Sequence, residues 1–338
     1  MVTMTTRNDV ELKPACTDGI SDLSFSPAAD FLAATSWDNQ LRIWEVLPSN
    51  QGTPKAAHSH DLPALCCTWS RDGTKVFSGG ADKMIRMMDI TTGQSSPLPA
   101  HDMPIKSLRW MNTTNAQALV SGSWDKTIKY WDLRSPNPVG VVNLPERCYS
   151  MDINGDLLVV ATAERNICII NLNNPMQIFK NIPSPLKWQT RVVSCFHDGT
   201  GFAVGSIEGR CGLHWIEEKQ PSQNFAFRCH RDNSNNASAV NSISFHPQYG
   251  TFTTAGSDGC INFWDKSSKQ RLDIISNLGE AVSCTAFSRT GNYFAYAISY
   301  DWSKGHEYYK PDGKNAIMIH PVADSDVRPR GTNVLRRR

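Results

Sequence analysis

The sequence predicts an all-β fold in which seven four-stranded sheets close into a single ring-shaped domain. Three observations carry that prediction. A unit of roughly 43 residues recurs seven times, each unit breaks into short strand-like runs separated by hairpin residues, and no long stretch has helical periodicity.

The repeat is read from its endings. Ser36-Trp37-Asp38…Ile43-Trp44-Glu45, Ala81-Asp82…Met88-Asp89, Ser123-Trp124-Asp125…Tyr130-Trp131-Asp132 and Ser257-Asp258…Phe263-Trp264-Asp265 align without gaps. Each places an acidic residue six positions before the Trp or its substitute. Glu164…Ile170-Asn171 and Glu208…His214-Trp215 are degenerate copies, and Ser299-Tyr300-Asp301 opens a seventh copy that carries an insertion before the run Asn315 to Val322. The acidic positions 38, 82, 125, 164, 208, 258 and 301 are spaced 44, 43, 39, 44, 50 and 43 residues apart. Within the third unit the strand-like runs are Ile105 to Trp110, Ala118 to Ser121 and Thr127 to Leu133. Asp72-Gly73, Asn154-Gly155, Asp198-Gly199 and Thr290-Gly291-Asn292 supply turns at matching places in other units. Units of this length ending in Trp-Asp are the signature of a WD-repeat β-propeller, so 338 residues make one domain rather than two.

Residues 18–322 are assigned to the propeller. Residues 1–17 are a segment in which Val10 to Pro14 closes the last blade as its outer strand, removing the open sheet edge. Residues 323–338 are a basic tail with five arginines in its last eleven positions. In such repeats a turn Asp, a preceding His, a strand Ser or Thr and the Trp hydrogen-bond as a set. The set is complete in His101, Ser121, Asp125 and Trp131, and His60, Ser78 and Asp82 repeat it with Met88 in the Trp place. Thr254, Asp258 and Trp264 read as a set lacking its His, while the fourth and fifth units retain only Glu164 and Glu208.

Composition narrows the function classes. With 34 Lys+Arg against 32 Asp+Glu, the formal charge of +2 is too small to declare a nucleic-acid binder by itself. No window approaches the length of a membrane span, so no membrane insertion is expected. The first residues have no apolar core and include Asp9 and Glu11, so no secretory leader is expected. The ten cysteines form no C-x-x-C pair, and several sit in apolar runs, which suits a reducing compartment.

Nothing points to an enzyme, a cofactor or a metal. His60-Asp61 and His101-Asp102 resemble parts of a catalytic triad, but they recur at repeat spacing as structural braces would. His306-Glu307 is followed by no second His, and the glycines of Gly199 to Gly205 miss the dinucleotide-binding spacing by one.

Three features exceed what a propeller needs. The insertion Tyr300 to Lys310 gathers aromatics and lysines, including Trp302 and Lys304, which suits a peptide pocket or base stacking; a loop folded onto its own blade is the plain alternative. Phe225-Ala226-Phe227-Arg228-Cys229-His230-Arg231 alternates Phe with Arg, as an outer strand showing cations on one face or as an edge guarded by charge. The arginines of the tail suit phosphates or acidic partners, or a solvated extension.

Several motifs are more specific than the repeat. Leu144-Pro145-Glu146-Arg147-Cys148-Tyr149, Val159 to Arg165, Gly205-Ser206-Ile207-Glu208-Gly209-Arg210, Cys229-His230-Arg231 and Tyr300 to Glu307 resemble the nuclear mRNA-export WD-repeat factors of the Rae/Gle type, from about Val10 to Val322. The Bub-type mitotic-checkpoint propellers share two of these motifs but not the Asp-Trp-Ser-Lys-Gly-His-Glu insertion. The resemblance implies a binding platform in the nucleus and at the nuclear pore, shuttling to the cytoplasm. It implies an FG-repeat nucleoporin captured through a short motif whose acidic residues pair with Arg210. It also implies a lateral groove for single-stranded RNA or messenger RNP, which viral proteins can occupy, lined by Phe227, Trp264, Asp265, Lys269 and Arg271. Where relatives carry Arg and then Lys, this chain has Lys269 and Arg271. Trp264 also reads as a purely structural member of its set. Two other classes remain open: a spindle-checkpoint adaptor for kinases, and a generic scaffold such as a ubiquitin-ligase substrate receptor.

Overall fold

The computed structural model describes residues 8–49, 51–114, 116–217 and 223–330. These residues form seven antiparallel four-stranded sheets. Blades 1 to 6 run through residues 20–59, 64–99, 105–143, 148–183, 190–228 and 240–275, each in simple meander order. Blade 7 combines Val282–Phe287, Tyr293–Ile298 and Ala316–Pro321 with the N-terminal strand Val10–Glu11, which pairs Val10 with Ile319 and Glu11 with Met318. The last sheet is therefore completed from the other end of the chain. Leu12 N–H donating to the Ile317 carbonyl at 2.8 Å and Trp44 Nε1–H donating to the Lys13 carbonyl at 2.9 Å extend that closure into blade 1.

The core is distributed rather than central. An apolar cluster sits at each of the seven junctions between neighbouring blades. Between blades 2 and 3, for example, Phe77, Ile85, Leu108, Leu119 and Trp131 pack together. The second strand of each blade is buried along nearly its whole length because both faces are covered, whereas outer strands such as Gly52–Ser59 and Ser95–Pro99 are largely exposed. A meander puts the turn between strands two and three on the same end of the ring as the link from one blade to the next. All the turn acids lie at that end, called here the turn face.

The tail departs from the expected solvated extension over its first half. Asp324–Val327 forms one helical turn, Val327 is buried, and its carbonyl accepts from Thr251 Oγ1 at 2.7 Å. Tyr249 OH donates to Asp324 at 2.7 Å, and Arg330 Nη2 donates to the Leu272 carbonyl at 3.0 Å. The physical reason is the apolar Val327, which blade 6 can bury, with arginines at the rim reaching back to the sheet. Arg336, Arg337 and Arg338 lie outside the described residues.

Candidate binding surfaces

The structural sets come first, because they hold the surfaces in place. In blade 3, Trp131 Nε1–H donates to Ser121 Oγ at 2.8 Å, Ser121 lies 2.7 Å from His101 Nε2, and His101 Nδ1 lies 2.7 Å from Asp125. The carboxylate can only accept, so the His101 Nδ1–H donates to it, and the Nε2 of this ring, which burial keeps neutral, accepts from Ser121. Burial works to raise the Asp125 carboxyl, but the His101 and Thr127 hydrogen bonds outweigh it and hold Asp125 well below the usual carboxylate range. His101 and Asp102 are thus parts of a brace.

Two sets differ from their sequence reading. Blade 6 does not lack its His: His230 Nδ1 lies 2.9 Å from Asp258, His230 Nε2 lies 2.9 Å from Thr254 Oγ1, and Trp264 Nε1–H donates to the same hydroxyl at 2.9 Å. The His stands 28 residues before its Asp, against 22 and 24 in blades 2 and 3, because a longer link separates blades 5 and 6. Offset alone hid it. In blade 2 Met88 has no N–H to give, and His58 Nε2 takes the vacant position, 2.7 Å from Ser78 Oγ. Burial pushes His58 down to about 4, so it is neutral and its Nε2–H replaces the indole.

The first candidate surface is the turn face around Arg210. Gly209 turns the chain at φ +65°, and a Cβ there would meet the His230 carbonyl at 2.2 Å, so only glycine permits this turn beside the blade 6 brace. Arg210 then opens the third strand of blade 5, directly opposite Arg228 of the outer strand. Like charges at directly opposed strand positions repel, and neither arginine has an ion pair among the described residues. Arg231 stands close by, its Nη2 donating to the Glu208 carbonyl at 2.9 Å. Exposed apolar side chains share this end of the ring: Trp37 is 45% exposed, Trp188 59% and Trp302 42%. A cationic corner beside exposed tryptophans suits an acidic, partly apolar peptide.

Trp302 belongs to a loop that packs on itself. Its ring stacks on Tyr309 with centroids 5.0 Å apart and planes 10° apart, and Tyr300 OH donates to the Gly305 carbonyl at 2.7 Å. The self-folded alternative accounts for these rings, yet one face of Trp302 stays open and Lys304 is exposed.

The second surface is the lateral seam between the outer strand of blade 5, Phe225–Arg228, and the outer half of blade 6. Phe227 meets Trp264 edge to face with centroids 4.7 Å apart. The Lys269 ammonium sits 4.3 Å from the centroid of the Phe225 ring, a lining residue absent from the sequence assignment. Arg271 lies opposite Trp264 on the outer strand and reaches Asn262 Oδ1 at 3.3 Å. The structure brings Phe227, Trp264, Lys269 and Arg271 to one seam, but Asp265 is 4% exposed and accepts from the Ser267 N–H and Ser268 hydroxyl. Asp265 braces the turn that presents Lys269 and does not line the groove. Removing it from the lining leaves the seam more cationic.

Among the described residues no cluster of His, Cys, Asp and Glu has the geometry of a metal site, and no helix is long and apolar enough to cross a membrane.

Comparison with known proteins matches this architecture. The model of the WD domain, G-beta repeat, matches residues 10–45, 53–89, 93–132 and 222–265. It passes over blade 4 and most of blade 5, whose sets have decayed to a lone Glu, and over the strands of blade 7 that follow residue 265. The chain is 53% identical over 328 residues to the "Poly(A)+ RNA export protein" of Schizosaccharomyces pombe, covering 96% of this chain and 93% of that protein. It is 49% identical to "mRNA export factor GLE2" of Chaetomium thermophilum over 96% of this chain and 93% of that protein. It is 50% identical to "Protein RAE1" of Arabidopsis thaliana over 94% of this chain and 92% of that protein. Identity at this level, spread over all seven blades and joined to the observed ring of seven sheets, makes the chain a member of the Rae1/Gle2 family of WD-repeat β-propellers.

Proposed function

We infer that the chain is a non-enzymatic binding platform for messenger RNA export, working in the nucleus and at the nuclear pore. The turn face captures a short acidic nucleoporin motif around Arg210, and the seam between blades 5 and 6 contacts single-stranded RNA of the messenger RNP. The observation that carries this reading is the opposed pair Arg210 and Arg228, left without acidic partners among the described residues beside exposed tryptophans. A protein that holds like charges together at a rigid strand pair gains stability when an anion arrives. The names of the similar proteins support the export role. The seam adds an aromatic floor and two cations, the combination that binds single strands through stacking and phosphate contact.

The direct test is Arg210→Glu. Affinity for an acidic nucleoporin peptide falls at least about tenfold while the circular-dichroism spectrum and melting curve stay those of the wild type. Unchanged affinity removes Arg210 from the site.

A further inference from the structure

The innermost strand of every blade carries a register irregularity after its first residue, as between Ile105 and Ser107 in blade 3 and between Thr190 and Val192 in blade 5. A bulge releases one residue from the ladder and re-aims its side chain. Because inner strands start at the turn face, the seven released residues form a ring at that mouth of the central channel, and all of them line a cavity of about 870 Å³. Six are polar: Ser21, Lys106, Tyr149, Arg191, Asn241 and Ser283. The seventh is Leu65, and no member is acidic.

The cations of this ring are not neutralised by ion pairs. Lys106 makes no hydrogen bond among the described residues, and Arg191 Nη2 donates to the neutral Asn241 amide at 3.0 Å. Arg147 lies over the Tyr149 ring, 6.0 Å from its centroid, but is paired with Glu146 at 3.4 Å, which leaves Lys106 and Arg191 as the free cations of the ring among the described residues. The acids that line the cavity are already engaged. Asp152 is held by Arg109 at 2.9 Å and the Cys195 N–H at 2.8 Å, Asp22 by the Cys67 N–H at 3.1 Å, and Asp301 by Asn241 at 2.7 Å and by Ser257. Beside Arg191, the Thr190 side chain is 1% exposed, lines the same cavity, and its hydroxyl has no hydrogen-bond partner.

We propose that this mouth of the central channel binds a compact phosphate-bearing small molecule, with Lys106 and Arg191 pairing its oxygens and the ring's serines, Asn241 and Thr190 supplying neutral donors. The ring favours phosphate over carboxylate by shape. Its donors converge from blades around a closed circle, and a phosphate offers acceptor oxygens in three directions where a carboxylate offers two in one plane. The cavity also has the size of an ordinary small-molecule site. The proposal does not depend on Arg210 or on the seam.

Inorganic pyrophosphate and ATP, titrated calorimetrically into the intact protein at low salt, test it. Saturable one-to-one binding is expected, with an upward shift in melting temperature. The double variant K106Q/R191Q weakens it at least about tenfold, while its unliganded melting temperature stays at the wild-type value. The seam variant K269Q/R271Q binds pyrophosphate as the wild type does. Tighter binding of ATP than of pyrophosphate assigns the site to a nucleotide, with a base against the channel-mouth tryptophans Trp37 and Trp124; equal binding assigns it to the polyphosphate group. The proposal is overturned by no saturable binding of either probe at about 10 mM, by binding that survives K106Q/R191Q, or by binding lost in K269Q/R271Q. An RNA oligomer whose affinity drops in K106Q/R191Q, with no response to either phosphate probe, gives the ring to nucleic acid instead and also overturns it.

Discussion

Replacing His230 by alanine removes a fully buried ring that holds Asp258 through one nitrogen and Thr254 through the other. Three polar groups, counting the Trp264 donor behind Thr254, then share a relay with its middle missing, and a cavity opens against Gly256. A loss of about 2–4 kcal/mol is expected, read as a lower midpoint in chemical denaturation; a loss below about 0.5 kcal/mol contradicts the brace. The backbone bond from the His230 N–H to the Gly209 carbonyl at 3.3 Å survives the substitution, so the turn that presents Arg210 keeps its tie to this strand. Sequence reading recognised the complete set of blade 3 from offsets alone. It missed His230 because the link before blade 6 is longer, and it missed His58 because a His filling in for a Trp leaves no pattern. Residue identity locates a donor, but only the folded strands show which hydroxyl it reaches.

At the scale of elements, the seam shows the same division. The alternation of Phe and Arg over Phe225 to Arg231 suited an outer strand, and the structure has one at Phe225–Arg228. That its aromatic face meets blade 6, and that the turn after Trp264 carries Lys269 over Phe225, depends on how two blades pack. If the seam takes RNA, affinity for an oligouridylate measured by fluorescence anisotropy falls as salt rises. The slope of log affinity against log salt is about 0.7 for each phosphate contacted, and K269Q/R271Q shallows it by about 1.4. A flat salt dependence in the wild type removes RNA from the seam. Conversely Trp264, which serves both the blade 6 brace and the seam, is a poor probe, since its removal costs stability as well as surface.

For the whole molecule, the decisive feature is closure. His320 of blade 7 touches Asp9, just before the N-terminal strand, at 2.6 Å and Asp326 of the C-terminal helical turn at 3.4 Å, so one side chain joins both ends of the described chain to the ring. Burial opposes its charge, but the hydrogen bonds His320 donates to Asp326 and Asp9 outweigh burial and push it up to about 9. A folded-state value above the unfolded value of about 6.5 means that the protonated form stabilises the fold. That contribution is complete below about pH 6.5 and is lost as pH rises through about 9, with a size of about 3 kcal/mol. Denaturation midpoints of wild type and His320→Gln, compared across this window, converge as pH rises; a difference that stays constant with pH contradicts the charged clasp.

The sequence by itself determined the ring: the repeat spacing sets seven blades, and hairpin residues and apolar alternation set four strands in each. It also marked the strand around Phe227 and the insertion around Trp302 as more than a propeller requires, and the family resemblance added Arg210, Lys269 and Arg271 as candidates. Tertiary structure alone decided what faces what. Opposed registers left Arg210 against Arg228, burial withdrew Asp265 from the groove, seven bulges turned scattered inner-strand residues into a cationic ring, and Val327 anchored part of the tail. The physical reason is that strand pattern is a local property, written in every second side chain, whereas charge neutralisation and burial depend on partners from different blades, often more than forty residues apart.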